Sequence, residues 1–108
     1  MKLFTTEMST PWGEADCEEA VAPGVYWVGT AGHGGILVEK SRARELLSER
    51  AIKIGRSWGL YLAYEEDCDA YAVYYEHPEY CTWMKAVEMK RLAEENLHRW
   101  NPAYFNHR

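Results

Sequence analysis

In "GTAGHGGILVEK", residues 29–40, a single histidine stands among Gly29, Gly32, Gly34 and Gly35 and is followed by an apolar run. An imidazole titrates near neutrality, so His33 offers either a general base or a metal-ligating nitrogen. No second histidine or serine stands at a spacing that completes a known catalytic set. The plainer reading is the corner of a hairpin, its ring donating to a carbonyl or an acidic neighbour. "GHGG" is not a phosphate loop, since it lacks both the G-x-G-x-x-G spacing and the G-K-[ST] ending. A second reactive group, Cys68, lies in "YEEDCD", with Glu65, Glu66 and Asp67 before it and Asp69 after it. Negative neighbours disfavour a thiolate, so Cys68 is a poor nucleophile unless a protonated His33 folds over it. The same carboxylates would suit a hard cation, but the glycine and closing glutamate of a calcium loop are missing. A solvated acidic turn is therefore preferred, and neither metal nor cofactor is assigned. His33, Glu65, Glu66, Asp67 and Cys68 make one candidate site, with His33 expected within hydrogen-bonding reach of Glu65, Glu66 or Asp67.

The second candidate is the run 64–80. It carries the carboxylates of Glu65, Glu66, Asp67, Asp69, Glu76 and Glu79, five tyrosines, and no lysine or arginine. Tyrosine brings a large apolar body and a hydroxyl to an interface, and carboxylates steer a basic partner inward. Tyr71, Tyr74, Tyr75, Glu76 and Glu79 are the expected contact residues. The competing reading makes the tyrosines core and the acids a solvated rim.

The elements that must position these residues follow from periodicity. Val25-Tyr26-Trp27-Val28, entered through the turn pair Pro23-Gly24, and Ile36-Leu37-Val38 read as two strands of an antiparallel hairpin. Ser41 reads as the N-cap of a helix over 42–51 or slightly beyond, stopped by Gly55. Trp58, Leu60 and Leu62 alternate within 57–64, which predicts a third strand. Residues 67–76 fit a short helix capped by Asp67 or, equally, a strand. Pro78 ends that element. Over 79–100, Trp83, Ala86, Ala93, Leu97 and Trp100 share one stripe of a helical wheel, an amphipathic helix terminated by Asn101-Pro102. The sum is an α+β fold, a small antiparallel sheet packed against a long C-terminal helix and one or two shorter ones.

A chain of 108 residues that is 47% hydrophobic supports one core, hence a single domain over 1–108 with a flexible lead over 1–12. The first residues do not form a signal peptide and no apolar run approaches ~20 residues, so neither membrane insertion nor export is expected and the location is cytoplasmic. Cys17, Cys68 and Cys81 match neither a paired framework nor a CxxC knuckle, and read as reduced thiols. Twelve basic against seventeen acidic side chains give a net charge of −5, the wrong sign for a direct nucleic-acid ligand. A basic protein, or a basic groove that normally holds nucleic acid, is the favoured partner; the oligomeric state is left open.

"APGVYWVGTAGHGGILV" and "YLAYEEDCDAYAVYYEHPEYC" together resemble a family of small uncharacterised domains of bacteriophages, plasmids and other mobile elements. The shared pattern is a T-x-G-H-G-G loop (Thr30, Gly32, His33, Gly34, Gly35), a Y-E-E-D-C corner (Tyr64, Glu65, Glu66, Asp67, Cys68) and a closing Pro78, and it covers residues 23–78. The resemblance transfers no activity. It implies a mobile-element setting in a bacterial host, in which a small acidic protein disables a host defence complex, anti-CRISPR or antirestriction in type, by protein–protein contact. The alternative is an enzyme, or a small-ligand or metal-binding domain, built on the paired loop and corner; the non-enzymatic class is preferred.

Overall fold

A computed structural model of the chain describes residues 9–106. Residues 1–8 of the expected flexible lead lie outside them. A two-residue hairpin, β1 (Ser9–Thr10) and β2 (Gly13–Glu14), precedes β3 (Cys17–Ala22), β4 (Val25–Gly29) and β5 (Gly34–Glu39). Two short helices follow, α1 (Lys40–Leu46) and α2 (Glu49–Ile54), then β6 (Arg56–Trp58), β7 (Tyr61–Glu65), α3 (Ala70–Glu76) and α4 (Ala86–Trp100). The main sheet is antiparallel throughout, in the order β3-β4-β5-β7-β6. The fold is α+β, and no helix among the described residues is long and apolar enough to cross a membrane.

Strict alternation along the central strands divides the core in two. Val25, Trp27, Ile36, Val38, Leu62 and Tyr64 face the helices, where Met89, Ala93 and Leu97 of α4 complete the main cluster. Tyr26, Val28, Leu37 and Ala63 face the other way, with Trp12, Trp58 and Tyr61 around them. The register carries this out residue by residue: Tyr26 opposes Leu37, which opposes Ala63, and Trp27 opposes Ile36, which opposes Tyr64.

Several expected boundaries move, each for a local reason. The helix expected over 42–51 is broken, because Ser48 caps α2 by accepting the Ala51 N–H at 3.2 Å; α1 starts after Glu39, and Ser41 makes no cap. Gly55 stops the helix as expected, since α2 ends at Ile54 and the Gly55 N–H donates to the Ile52 carbonyl at 3.1 Å; it also makes room for Tyr64, whose ring would lie 2.7 Å from an added Cβ. The single strand expected over 57–64 is a hairpin whose turn is Gly59-Leu60. Gly59 there adopts φ +57°, a value that suits the first central position of a two-residue turn, and Leu60 is left 80% exposed at its tip. Residues 70–76 are helical, beginning after Asp69 rather than at a cap from Asp67. The C-terminal helix starts at Ala86, not near 79: Pro78–Tyr80 forms a 3-10 turn, Cys81 is buried, and the chain bends over 82–84 before entering α4. Its buried stripe is Met89, Ala93 and Leu97, whereas Trp83 and Trp100, expected in that stripe, are 68% and 55% exposed. The edge strand β3 has the sequence "CEEAVA", which lacks the aromatic and β-branched run that marks β4.

Candidate functional site

The β4–β5 hairpin closes at the Gly29–Gly34 pair, leaving Thr30, Ala31, Gly32 and His33 as its turn. The turn is stapled by its own backbone and by one hydroxyl. Thr30 N–H donates to the His33 carbonyl at 2.7 Å, and Thr30 Oγ1 donates to the same carbonyl at 2.5 Å. The His33 N–H in turn donates to Thr30 Oγ1 at 3.1 Å. His33 is thus fixed through its main chain while its side chain stands exposed.

The acidic corner reaches the same end of the sheet because β7 pairs with β5. The Gly35–Glu65 pair is the last rung, and the Glu66 N–H extends the ladder by donating to the Gly34 carbonyl at 3.0 Å. Glycine is required here by crowding. No residue of the turn has positive φ, but a Cβ on Gly34 would meet the Val28 carbonyl oxygen at 2.6 Å, and Glu66 Oε2 at 3.5 Å. One on Gly35 would strike the Tyr64 carbonyl and the Trp12 indole.

Three side chains converge there. A ring nitrogen of His33 and a carboxylate oxygen from each of Glu66 and Asp67 all lie within 4.8 Å of one another. The expected juxtaposition of loop and corner is present, but no hydrogen bond joins the His33 ring to a carboxylate among the described residues. The other two members of the candidate site are turned to each other. Cys68 Sγ faces Glu65 Oε1 at 3.7 Å. Burial first, and then the charge of Asp69, pushes the Cys68 thiol up to about 11, with Glu65 adding to the rise and a backbone hydrogen bond at Asp69 opposing it. That thiol is protonated at neutral pH and is not a thiolate nucleophile.

The tyrosine-rich patch is divided by the fold. Tyr74 is 6% exposed and lies in the main cluster, and burial raises its phenol well above the usual range. Glu76 points inward: it accepts the Ser48 N–H at 2.8 Å, the Ser48 hydroxyl at 2.5 Å and the Tyr104 hydroxyl at 2.5 Å. Both residues therefore leave the expected contact set, Tyr74 because its ring is core and Glu76 because its oxygens already accept three hydrogen bonds. Tyr75 packs edge-on against Tyr104 and Phe105 with Lys90 over its ring. Tyr71 is half-buried, and Glu79 is exposed and faces His77 Nδ1 at 3.1 Å. Periodicity did not single out the groove of about 530 Å³ lined by Arg44, Leu47, Glu49, Ile52 and Lys53. It opens where α1 breaks into α2, and the signal for that break was the capping serine at 48.

Compared with known proteins, residues 5–108 match the family model described as "Domain of unknown function (DUF7007)". No curated protein and no solved structure matches the chain.

Proposed function

Starting from a chain that belongs to the DUF7007 family, we propose that it is a non-enzymatic binding protein whose working end is the cluster of His33, Glu66 and Asp67, and that it engages a partner with a basic surface. One observation carries this reading: the carboxylates of Glu66 and Asp67 stand together beside the hairpin turn and form no ion pair among the described residues. The half-buried Glu76 carboxylate, by contrast, is already engaged by Ser48 and Tyr104. Glu66 and Asp67 keep their charge available for an incoming lysine or arginine, in a protein whose net charge of −5 already attracts basic surfaces.

The concrete form is inhibition of a host bacterial defence complex by protein–protein contact. Its support is the sign of the charge together with the resemblance of the loop and corner to domains of mobile elements. Against a Cys–His form of the enzyme alternative stands the geometry of Cys68, whose thiol faces Glu65 Oε1 at 3.7 Å and is pushed up by burial. The test is a comparison of captured partners. Wild-type protein and the Glu66→Lys/Asp67→Lys double variant are immobilised, exposed to bacterial lysate, and the retained proteins identified by mass spectrometry. Wild type should retain a nuclease or nucleoprotein assembly with a basic face that the variant loses. Retention of the same set by both, or of no such assembly by wild type, contradicts the proposal. Neither side chain makes a hydrogen bond or ion pair among the described residues, so the variant should remain folded.

A further inference from the structure

We infer that His33, Glu66 and Asp67 bind one divalent first-row transition-metal ion, with water completing its coordination. This deepens the reading of the loop-and-corner end as the working surface, and rests on it for the relevance of the site though not for its geometry.

Three donor atoms within 4.8 Å of one another place a central point no more than about 2.8 Å from each, whereas metal–nitrogen and metal–oxygen bonds run ~2.0–2.2 Å. Each donor must therefore advance by less than about 1 Å, a movement that small rotations of surface side chains supply. The backbones beneath them need not move. The turn is held by Thr30 and the corner by the Glu66–Gly34 hydrogen bond, so donors from two distant stretches of chain arrive already facing one another.

The donor set also selects the ion. Two carboxylates match a dication in charge, and the imidazole nitrogen favours first-row transition metals over magnesium and calcium, which prefer all-oxygen sets. His33 differs from His77 in this respect. Both ring nitrogens of His77 already have partners, the Leu46 carbonyl at 2.5 Å and Glu79 at 3.1 Å, while the His33 ring has none among the described residues. Bound metal would neutralise the carboxylates that the basic partner needs, so metal and partner should compete.

The experiment titrates the metal-free full chain with Mn2+, a paramagnetic probe read by two-dimensional NMR, and with Zn2+ read by calorimetry. One equivalent of Mn2+ should broaden the amides of residues 32–35 and 65–68 and the His33 ring signals. Zn2+ should bind at a single site, weakened at least about tenfold by His33→Ala and by Asp67→Asn but left within about twofold by Cys68→Ser. Circular dichroism confirms that each variant is folded. Broadening centred elsewhere overturns the assignment. So does a Zn2+ affinity unchanged by His33→Ala, or Ca2+ binding as tight as Zn2+, because either would describe an acidic surface gathering counterions. Partner capture repeated in excess chelator separates the two ideas. Capture without any metal binding defeats the metal site alone, whereas metal binding with capture indifferent to Glu66→Lys/Asp67→Lys defeats the partner surface alone.

Discussion

Gly35 has no room for a methyl group, because the Tyr64 carbonyl lies on one side and the Trp12 indole on the other. Gly32, two residues before the Gly34-Gly35 pair, has nothing within 4 Å of an added Cβ and does not have positive φ. The two glycines should therefore respond oppositely to alanine. Gly35→Ala should destabilise the fold by about 1–3 kcal/mol through overpacking, while Gly32→Ala should be neutral or stabilising by up to about 1 kcal/mol through the unfolded chain. Urea unfolding midpoints of the two variants check this, and equal midpoints would remove the crowding explanation. The glycine content of the turn was legible as "GHGG", but its reason was not. A glycine chosen for positive φ and one chosen for close approach look alike in one dimension. Crowding by Trp12 and Tyr64 exists only once β7 has paired with β5 and the β1–β2 hairpin has laid its tryptophan across the sheet.

At the scale of elements, Glu76 joins α3 to the start of α2 through Ser48 and, through Tyr104, to the 3-10 turn Pro102–Phe105 that follows α4. Removing the shared acceptor leaves several polar groups without a partner. Glu76→Ala should cost about 2 kcal/mol or more, and Ser48→Ala about 0.5–2 kcal/mol through the lost cap. Because Ser48 and Tyr104 meet at one carboxylate, a double-mutant cycle of Ser48→Ala and Tyr104→Phe should show a coupling energy of about 0.5 kcal/mol or more, measured by chemical denaturation. Strict additivity would show that the two bonds act separately. None of this could be read from the chain, where Glu76 stood in an acidic, tyrosine-rich run that suggested an outward patch. Its partners lie far away in sequence, and nothing local distinguishes an acid that accepts bonds from other elements from one that faces water. Where a local signal existed, the elements were legible. The β4–β5 hairpin, the turn at Pro23-Gly24 and the end of α4 at Asn101 all carry their own punctuation. The break at Ser48 and the turn at Gly59-Leu60 carry it too, but helical spacing before one and period-two alternation through the other pointed to continuous elements.

For the whole molecule, a net charge of −5 sets the sign of the long-range field, and the fold decides which carboxylates are already engaged. It engages the half-buried Glu76 with Ser48 and Tyr104, sets Glu65 against Cys68, and leaves Glu66 and Asp67 beside His33 at one end of the sheet. The proximity of the two motifs stood as an expectation on the paired loop and corner of the resemblance, whereas the pairing of β5 with β7 that produces it was not read from the sequence. The division of labour among the carboxylates was not legible either, since it depends on which way each side chain leaves the corner. Exposed charges of this kind act chiefly on the rate of encounter, and salt screens them over about 8–10 Å at physiological strength. The most direct measurement is therefore the association rate constant with the captured partner, determined by surface plasmon resonance between about 0.05 and 0.5 M salt, for wild type and for Glu66→Lys/Asp67→Lys. Wild type should associate progressively more slowly as salt rises, and the variant should be slower at low salt, with a flatter dependence. Identical association rates and salt slopes in the two folded proteins would contradict the assignment of this end of the sheet as the partner-binding surface.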